Sequence, residues 1–370
     1  MRADRLPFHA AVYIGRFQPL HNGHLALLRR CLALAPLCIV VVGSAYQART
    51  PKNPFTWTER AQLIMDAMLP EDRARLRILP MRDYYNLQRW TSAVRQGVAD
   101  LLAQEGLAAE GFAEEGVASA GQPQPASVVL VGHFKDPTSD YLSNFPGWAL
   151  GSVDRIFAVD GTQLRDHLFR GANEGFEVNL EGISHQVPVA TVQFLRAWLQ
   201  GPHFDRLQNE WQMLYDYHRA WSRAPYPPVF VTVDAVVHCA GHVLLIRRAH
   251  APGVGLLAVP GGFIEQRETT LQSCLRELQE ETHLAVPEDT LRHSLKANAV
   301  FDHPDRSLRG RTITHAFFFD LGEGELPSVR ADDDAQAVEW MAADQLLAVE
   351  DQFHDDHFHM LDHFLRLTGA

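Results

Sequence analysis

The sequence contains few cysteines and no apolar run long enough to cross a bilayer. Its 370 residues include four cysteines, none of them in a Cys-x-x-Cys pair: Cys31, Cys38, Cys239 and Cys274. This scarcity argues against a disulfide framework or a zinc knuckle, and it predicts a reducing, cytoplasmic location. The longest purely apolar run, residues 37–42, argues against a membrane protein. Residues 1–7 carry charges without an apolar core behind them, so we expect no secretory signal.

The chain also lacks a net basic charge. Its 33 Lys and Arg residues are outnumbered by 45 Asp and Glu residues, which gives a formal net charge of −12. A protein that binds long nucleic acid usually presents a net basic face, so we expect no nucleic-acid partner. An acidic protein still binds small anions where it supplies local cations, helix N-termini or a divalent metal. The charge therefore favours small, metal-complexed anions as partners and argues against a membrane surface.

The length and the order of the predicted elements indicate two domains. A composition of 46% hydrophobic and 21% charged residues is typical of a folded protein. The chain of 370 residues is also longer than one ordinary domain. In the first half, apolar strands alternate with helices, which predicts an α/β fold with a parallel sheet covered on both faces. A proline-rich segment at 224–228 precedes a mixed α+β order. We predict a first domain at residues 1–187, a helical connector at 188–225 and a second domain at 226–370.

Two segments of the first half carry narrower predictions. Residues 105–126 consist mainly of Ala, Gly, Glu, Gln and Pro, a composition that favours a flexible surface insertion. Residues 155–159 form a short apolar run, and we expect a strand there.

A loop with phosphate-binding features follows the first predicted strand. The string Gly15-Arg-Phe-Gln-Pro-Leu-His-Asn-Gly-His24 leads into a helix, and a helix N-terminus at a strand end offers unpaired N–H groups to phosphate. His21 and His24 are one turn apart, so both imidazoles can face one ligand, and Gly23 permits close backbone approach. A capped helix with two surface histidines, or an HxxH metal pair, remains the alternative.

A second predicted strand end supplies complementary groups. The string Gly161-Thr-Gln-Leu-Arg165 offers a hydroxyl and a planar guanidinium, which suit a polyphosphate. Together, the patterns GxFxPxHxGH and GTxxR resemble the HxGH nucleotidyltransferase superfamily, and most closely the nicotinamide mononucleotide (NMN) adenylyltransferases of archaeal type. Asp160 stands where that family usually has serine, and its carboxylate would repel phosphate unless it faces away or helps to hold metal.

That resemblance implies a Rossmann-like fold and the transfer of AMP from the substrate ATP to NMN, giving NAD and pyrophosphate. It implies that the phosphates are held, and the reaction catalysed, by His21, His24 and Arg165 together with Arg16. The positions that match the nucleotide-binding residues are Gly15, Arg16, Phe17, Gly23, Asp83, Asn86, Trp90, Gly161 and Thr162. Trp90 would stack on nicotinamide, with Asp83 and Asn86 near its amide, and Mg²⁺ or Mn²⁺ would bridge the phosphates.

Two alternatives remain open for this half. The position of Trp90 is also typical of a core aromatic residue on an amphipathic helix. The activity could equally be that of another HxGH transferase, such as a cytidylyltransferase, although Trp90 together with Asp83 favours nicotinamide.

A third string places three carboxylates on one helix face. Glu277, Glu280 and Glu281 are spaced i, i+3 and i+4, and like charges packed in this way suit a hard cation such as Mg²⁺ or Mn²⁺. The alternative for such a cluster is a solvated acidic stripe. The full spacing Gly262-x5-Glu-x7-Arg-Glu-Leu-x-Glu-Glu-x-x-Leu284 resembles the Nudix box, except that His283 stands in place of a glycine. We expect His283 to adopt the left-handed conformation of a helix C-cap.

The Nudix resemblance implies hydrolysis of a substituted nucleoside diphosphate by metal-activated water. The implied metal ligands are Glu268, Glu277, Glu280 and Glu281, with Glu277 and Glu281 as catalytic residues and Arg276 orienting the carboxylates. Residues 301–317 resemble the substrate loop of ADP-ribose pyrophosphatases, where Arg306, Arg309 and Arg311 would suit a diphosphate or a terminal ribose phosphate. A plain solvated loop is the alternative. The histidines and aspartates of residues 354–363 are interpreted as one polar helix face and not as a metal site.

The order of the two modules resembles the bifunctional NMN adenylyltransferase/Nudix hydrolase family across nearly the whole chain. This implies that one end makes NAD and the other cleaves ADP-ribose to AMP and ribose 5-phosphate. A Nudix domain that acts on another nucleoside diphosphate derivative, or that senses ADP-ribose without cleaving it, remains the alternative. The expected partners are the small nucleotides ATP, NMN and ADP-ribose, and a homo-oligomer is left open.

Overall fold

The chain divides into two compact units. The computed structural model describes residues 6–109, 125–133, 144–153, 159–170, 176–332 and 334–369. The first unit contains residues 1–46 and 52–205, and the second contains residues 47–51 and 206–370. None of the helices in these described ranges is long and apolar enough to cross a membrane.

The first unit is built on a parallel sheet, as the sequence predicts. In the described part of the unit, this sheet has five strands in the order β3-β2-β1-β6-β7. The strands of the first unit are β1 (Ala10–Gly15), β2 (Leu37–Val42), β3 (Leu76–Pro80), the short β4 (Ala108–Ala109) and β5 (Pro125–Ala126), β6 (Val128–Gly132) and β7 (Ala149–Ser152). Most of the predicted insertion and all but the last residue of the predicted strand at 155–159 lie outside the described residues.

Helices cover both faces of the first sheet. They are α1 (Asn22–Leu34), α2 (Trp57–Asp66), α3 (Pro70–Arg73), α4 (Leu87–Gln104), α5 (Gly161–Arg170), α6 (Phe176–Ser184) and α7 (Val189–Trp198). Every residue of β2 is buried, and its side chains alternate between the two cores. Val40 packs with Leu28 of α1, whereas Ile39 packs with Val94 of α4. Burial on both faces is why this strand is apolar throughout.

The strand order brings several loops to one edge of the first sheet. Because β1, β2, β3 and β6 are parallel, their carboxyl ends meet at the same edge. The chain leaves β1 between its neighbours β2 and β6, so the strand order reverses at that point. Ligands of open parallel sheets bind at such a switch point.

The second unit is built on a mixed sheet, which agrees with the predicted α+β order. Within the described residues, the order is β10-β9-β8-β13-β12, with β11 paired to β8 and β14 paired to β9. The strands are β8 (Val229–Cys239), β9 (His242–Arg248), β10 (Leu257–Ala258), β11 (Gly261–Phe263), β12 (Leu295–Phe301), β13 (Arg311–Asp320) and β14 (Ala335–Ala342). The helices are α8 (Phe204–Trp221), most of which belongs to this unit, α9 (Thr270–Thr282), α10 (Glu288–Ser294) and α11 (His357–Leu365), and a 3₁₀ segment spans Ala343–Gln352. The strands β8 and β9 pair antiparallel and form a hairpin.

The central strand β8 separates two cores. Val233 and Ala235 pack with Leu278 of α9, whereas Val236 on the opposite face packs with Leu361 of α11. Because strand side chains alternate in direction, Thr232 and Asp234 share the face of Val236. Polar residues on this otherwise apolar strand therefore lie on the α11 side of the sheet.

Candidate functional sites

His21 and His24 of the first string form a reciprocal cap at the N-terminus of helix α1. His21 is the N-cap, and its Nδ1 accepts the backbone N–H of His24, while the Nδ1 of His24 accepts the backbone N–H of His21, both at 3.3 Å. The two rings stack with centroids 3.5 Å apart and an interplanar angle of 21°. A Cβ on Gly23 would lie 3.1 Å from the His21 ring, which explains the glycine between them. The two imidazoles therefore lie together, in the common orientation that the spacing predicts.

The electrostatics of this pair favour a neutral His24 ring. Burial lowers the pKa of His24 well below its ordinary value of 6.5, and the nearby His21 and His133 lower it further. Since each Nδ1 accepts a hydrogen bond, a neutral ring carries its proton on Nε2. The pair can then offer two N–H donors to an anion.

Arg165 of the second string joins the first loop. It is buried at 8% exposure, and its Nη1 donates to the Gln18 carbonyl at 2.7 Å, while its Nη2 donates to the Thr162 hydroxyl at 3.1 Å. A Cβ on Gly161 would lie 3.2 Å from the same Gln18 oxygen, so glycine allows α5 to approach the first loop closely. The structure therefore brings Arg165, Gly161 and Thr162 to the loop that ends at His21.

Asp160 has a structural explanation. Its Oδ1 accepts the backbone N–H of Thr162 at 2.6 Å, which satisfies a free donor at the start of α5. The carboxylate that replaces the family's serine therefore works as a helix cap in this chain.

Arg60 also belongs to this candidate site. The spacing of residues in the sequence did not indicate its role. It is 1% exposed, and its guanidinium donates to the carbonyls of Arg16, Gly43 and Ser44 at 2.6, 2.7 and 2.9 Å. These carbonyls follow β1 and β2, so Arg60 ties the two strand ends together. Burial lowers the pKa of Arg60 to about 10, and burial likewise lowers that of Arg165 to about 10, with Arg16 contributing to both. The guanidiniums of Arg60 and Arg165 therefore remain charged at neutral pH.

The residues expected near nicotinamide make structural contacts. Asp83 accepts the backbone N–H of Ser44 at 3.2 Å and its hydroxyl at 2.7 Å. Asn86 is the N-cap of α4 and accepts the backbone N–H of Arg89 at 2.8 Å. Trp90 is half-buried and packs edge-on against Phe145, with centroids 6.0 Å apart. Phe17 is fully buried and Arg16 is exposed.

In the second unit, Arg276 gathers the carboxylates of the Nudix-like string. It donates to Glu268 at 3.1 Å, to Glu277 at 2.9 Å and to Glu280 at 2.8 Å. Glu281 is apart from this group, buried at 3% exposure, and accepts the backbone N–H of Gly261 at 2.9 Å. Arg276 is therefore the shared cation of Glu268, Glu277 and Glu280, whereas Glu281 is held by the backbone of β11.

Glycines let the chain of β11 reach these carboxylates. A Cβ on Gly262 would lie 2.6 Å from the carboxyl carbon of Glu277, and one on Gly261 would lie 2.2 Å from the Val233 carbonyl. At the C-terminal end of α9, His283 is the C-cap with φ 42° and ψ 41°. The expected left-handed conformation of His283 is thus confirmed, and its Nε2 lies 2.8 Å from Asp332.

The charges on this helix suit a hard cation. Burial raises the pKa of Glu281 to about 8, and the charge of Glu277 raises it further, although the Gly261 N–H opposes the shift. Burial also raises the pKa of Glu277. The donors are all carboxylate oxygens, as Mg²⁺ and Mn²⁺ prefer. Within the described residues, no three His, Cys, Asp or Glu side chains stand close enough to hold a metal ion as they are oriented, because Arg276 engages three of them.

A polar pocket opens on the α11 side of the second sheet. Its open volume is about 490 Å³, and it extends from Asp234 and Gly261 to Phe263 and Arg309. Arg248, His354, Asp355 and His357 also line it. Burial raises the pKa of Asp234 to about 6, and Thr314 donates a hydrogen bond to this carboxylate.

The three arginines of the predicted substrate loop differ in their contacts. Arg306 is 5% exposed and forms a buried bidentate ion pair with Asp356, at 2.7 and 2.9 Å. Arg311 donates to the Asp302 carbonyl. Arg309 lines the pocket with its guanidinium 5.6 Å from the ring centroid of Phe263. Arg306 is therefore paired within the fold, and of the three Arg309 is placed most openly toward a ligand.

The interpretation of the C-terminal histidines as a polar helix face is wrong. His354, Asp355 and Asp356 precede α11, His354 is 5% exposed and Asp356 is fully buried. The Nδ1 of His357 accepts the backbone N–H of Val259 at 3.1 Å. These groups line or support the pocket. Sequence spacing missed this because a polar pattern looks the same whether it faces water or a polar cavity.

Comparisons with known proteins find relatives for both halves of the chain. A cytidylyltransferase-like model matches residues 12–98 and a NUDIX domain model matches residues 228–364. Two crystal structures of a bifunctional NMN adenylyltransferase/ADP ribose pyrophosphatase from Francisella tularensis, one complexed with AMP and a manganese ion, are similar over 98% of this chain and 100% of theirs, with 31% and 30% identity and TM-scores of 0.81 and 0.83. A nicotinamide/nicotinic acid mononucleotide adenylyltransferase from Acinetobacter baylyi is 29% identical over 206 residues, which is 55% of this chain and 94% of that protein. The chain belongs to the family of bifunctional NMN adenylyltransferase/ADP-ribose pyrophosphatases.

Proposed function

We propose that the first unit transfers AMP from ATP to NMN, giving NAD and pyrophosphate, and that the second hydrolyses ADP-ribose to AMP and ribose 5-phosphate. The observation that carries the proposal is the grouping of charge-handling side chains in each unit. His21, His24 and Arg165 meet at the switch point of the first sheet, and the Glu277–Glu281 face borders the glycine strand of the second. Family membership supports the same pair of reactions.

In the first unit, the chain itself supplies the donors for a triphosphate. The Nε2–H groups of His21 and His24 and the guanidiniums of Arg16 and Arg165 would hold the phosphates of ATP. The phosphate of NMN then attacks the α-phosphorus and pyrophosphate leaves, so no protein group needs to become covalently attached. Positioning and charge neutralisation carry the rate. Asp83, Asn86 and Trp90 would border the nicotinamide.

In the second unit, Glu268, Glu277, Glu280 and Glu281 would hold Mg²⁺ or Mn²⁺. When bound, the metal would lower the pKa of water and would offset the negative charge of the diphosphate. For this, Glu277 and Glu280 must turn away from Arg276, whose guanidinium is then left with Glu268. Arg309 would contact the diphosphate side of the substrate. We extend the use of a divalent metal to the first unit, where it would offset the negative charge of the ATP phosphates.

Product analysis with the full chain tests both halves. ADP-ribose with Mg²⁺ or Mn²⁺ should yield AMP and ribose 5-phosphate in equal amounts, and chelation should stop the reaction. ATP with NMN should yield NAD and pyrophosphate. Absence of AMP with either metal would reject the hydrolase assignment and favour a sensor of ADP-ribose, whereas absence of NAD would reject the transferase assignment.

A second candidate for the first unit has one observation in its favour. The family model that matches residues 12–98 is described as cytidylyltransferase-like. Replacing ATP by CTP, and NMN by other phosphorylated acceptors, separates the two candidates. We expect ATP and NMN to give the highest kcat/KM.

A further inference from the structure

An aromatic ring stands exposed in the pocket of the second unit, and the hydrolysis described above makes no use of it. Phe263 is 42% exposed, although it lies in the middle of a folded site and lines the pocket. It is the last residue of β11, directly after the Gly262 that touches Glu277. Ligand pockets are lined largely by hydrophobic and aromatic side chains, together with a few polar groups that orient the ligand.

The register of the sheet directs this ring toward the pocket. Gly261 pairs with Asp234 and Phe263 pairs with Thr232. Residues two apart on a strand share a face, so Phe263 projects on the same side of the sheet as Thr232 and Asp234. Both of these line the same pocket. The ring therefore belongs to the substrate side of the sheet and not to the α9 core behind it.

The ring is held firmly from behind. Phe230 packs edge-on against it, with centroids 6.0 Å apart at 71°. Phe230 is in turn packed by Tyr217 and Trp221 of α8, at 5.8 and 5.4 Å. The Phe263 carbonyl accepts a hydrogen bond from Arg276 at 3.3 Å, which ties the backbone to the glutamate-bearing helix. Such support fixes the orientation of an exposed ring.

A cation completes the surface. The guanidinium of Arg309 lies over the Phe263 ring, 5.6 Å from its centroid, and a base that stacks on this ring displaces it toward the diphosphate side of the substrate. Aromatic rings and guanidinium planes are the two kinds of protein surface on which nucleobases stack. The ring is also one residue from Gly262, and consecutive Cα atoms are about 3.8 Å apart. A base on this surface would thus lie within the length of one nucleotide of the Glu277 carboxylate.

From this geometry we propose that Phe263, flanked by Arg309, is the stacking surface for the nucleobase of the diphosphate substrate. The inference rests on the proposed hydrolase function of the second unit and assigns the base end of its substrate. Stacking recognises the flat face of a base, so it explains binding of a nucleoside diphosphate in preference to a diphosphate without a base. Phe263 is then a binding residue, and its removal should affect KM far more than kcat.

Steady-state kinetics of Phe263→Leu in the full chain test the proposal. ADP-ribose is compared with a base-free substrate, a diphosphate that carries a ribose on each side. Stacking contributes about 1–3 kcal/mol per base, so KM for ADP-ribose should rise about tenfold or more. The base-free substrate should be hydrolysed as by the unchanged chain, and Phe263→Trp should retain the low KM. Phe318→Leu is the matched control, because Phe318 packs against Phe364 with centroids 5.3 Å apart and does not line the pocket.

A binding measurement gives a readout that does not depend on turnover. Calorimetric titration of ADP-ribose into full-length Glu281→Gln should show affinity about tenfold lower once Phe263→Leu is added. An equal effect on both substrates, no effect on KM, or the same effect from Phe318→Leu would each overturn the stacking assignment while leaving the hydrolase intact. If the unchanged chain released no AMP from ADP-ribose, the proposed function itself would fail, and this inference with it.

Discussion

The candidate site of the first unit is built from cations, whereas that of the second is built from carboxylates. At the first sheet edge, Arg16, Arg60 and Arg165 lie near one another, and burial lowers the pKa of two of them to about 10. On α9, burial and mutual repulsion raise the pKa values of Glu277 and Glu281. Both sites are proposed to hold phosphates. The first can do so with groups of the chain, while the second needs an added cation before it can approach an anion.

The two units also stabilise a buried arginine differently. Arg60 in the first unit donates to neutral backbone carbonyls of several loops. Arg306 in the second unit is paired with the carboxylate of Asp356. Arg60 therefore stays a net positive charge beside the ligand site, and Arg306 does not. Because of this difference, we expect substitutions in the two units to change activity and stability by different amounts.

The largest expected effect is on the second site. Glu281→Gln keeps an acceptor for the Gly261 N–H but removes a charge from the metal-binding face. Because a metal contributes several kcal/mol to such a transition state, ADP-ribose hydrolysis should fall about a thousandfold. AMP release at saturating Mg²⁺ measures it. NAD synthesis by the same variant is the control and should be unchanged, and a variant that kept full hydrolysis would remove Glu281 from the metal-binding set.

A smaller loss is expected from the corresponding change in the first unit. His24→Ala removes one N–H donor and its stacking partner for His21, and loss of a preorganised donor costs about a hundred- to a thousandfold in kcat. Initial rates of NAD formation should show this decrease, while ADP-ribose hydrolysis stays at its normal rate. Full NAD synthesis by His24→Ala would contradict the role of the histidine pair in holding phosphate.

The third prediction concerns stability and the Arg306–Asp356 pair. Asp356→Asn leaves a buried guanidinium without its counter-charge, and breaking such a pair costs about 3–5 kcal/mol. Thermal unfolding followed by circular dichroism should show a lowered transition. Asp351→Asn, an exposed acid a few residues away, is the control and should change stability by less than about 0.5 kcal/mol. If Asp356→Asn were equally harmless, the ion pair would have no part in holding the loop of residues 302–311.

Local spacing predicted the parts of both sites that lie within one helix or one strand end. The interval of three between His21 and His24, and the i, i+3, i+4 glutamates, follow directly from helix geometry. The contacts of Arg60 and the pairing of Arg306 with Asp356, 50 residues apart, depend on how distant loops meet, and no local pattern encodes that. The buried position of His354 was missed for the same reason. The sheet types could be predicted, because burial on both faces and alternation leave different patterns.

The smallest expected effect is on the pH dependence of folding stability. Each unit contains a buried histidine that is held neutral, and the two can be compared. Burial lowers the pKa of His357 well below 6.5, and the charges of His354, Arg306 and Arg248 lower it further. The folded chain therefore keeps His357 neutral, whereas the unfolded chain takes up a proton as the pH falls through 6.5. Because the unfolded state then binds more protons, stability falls on acidification. From pH 6.5 to 5.5 this histidine should account for a loss of about 1 kcal/mol.

His357→Gln isolates that contribution, since glutamine can still accept the Val259 N–H but does not titrate. Asp234 lies 4.0 Å from the His357 ring, and its raised pKa acts with the opposite sign, so the comparison must be between the variant and the unchanged chain. Urea unfolding at pH 6.5 and 5.5 should show the variant losing about 1 kcal/mol less than the unchanged chain. His24→Gln should give a change of the same sign in the first unit, because His24 is also held neutral by burial. Parallel pH slopes for the His357→Gln variant and the unchanged chain would mean that His357 carries a proton in the folded state, and its Nδ1 could then not accept the Val259 N–H.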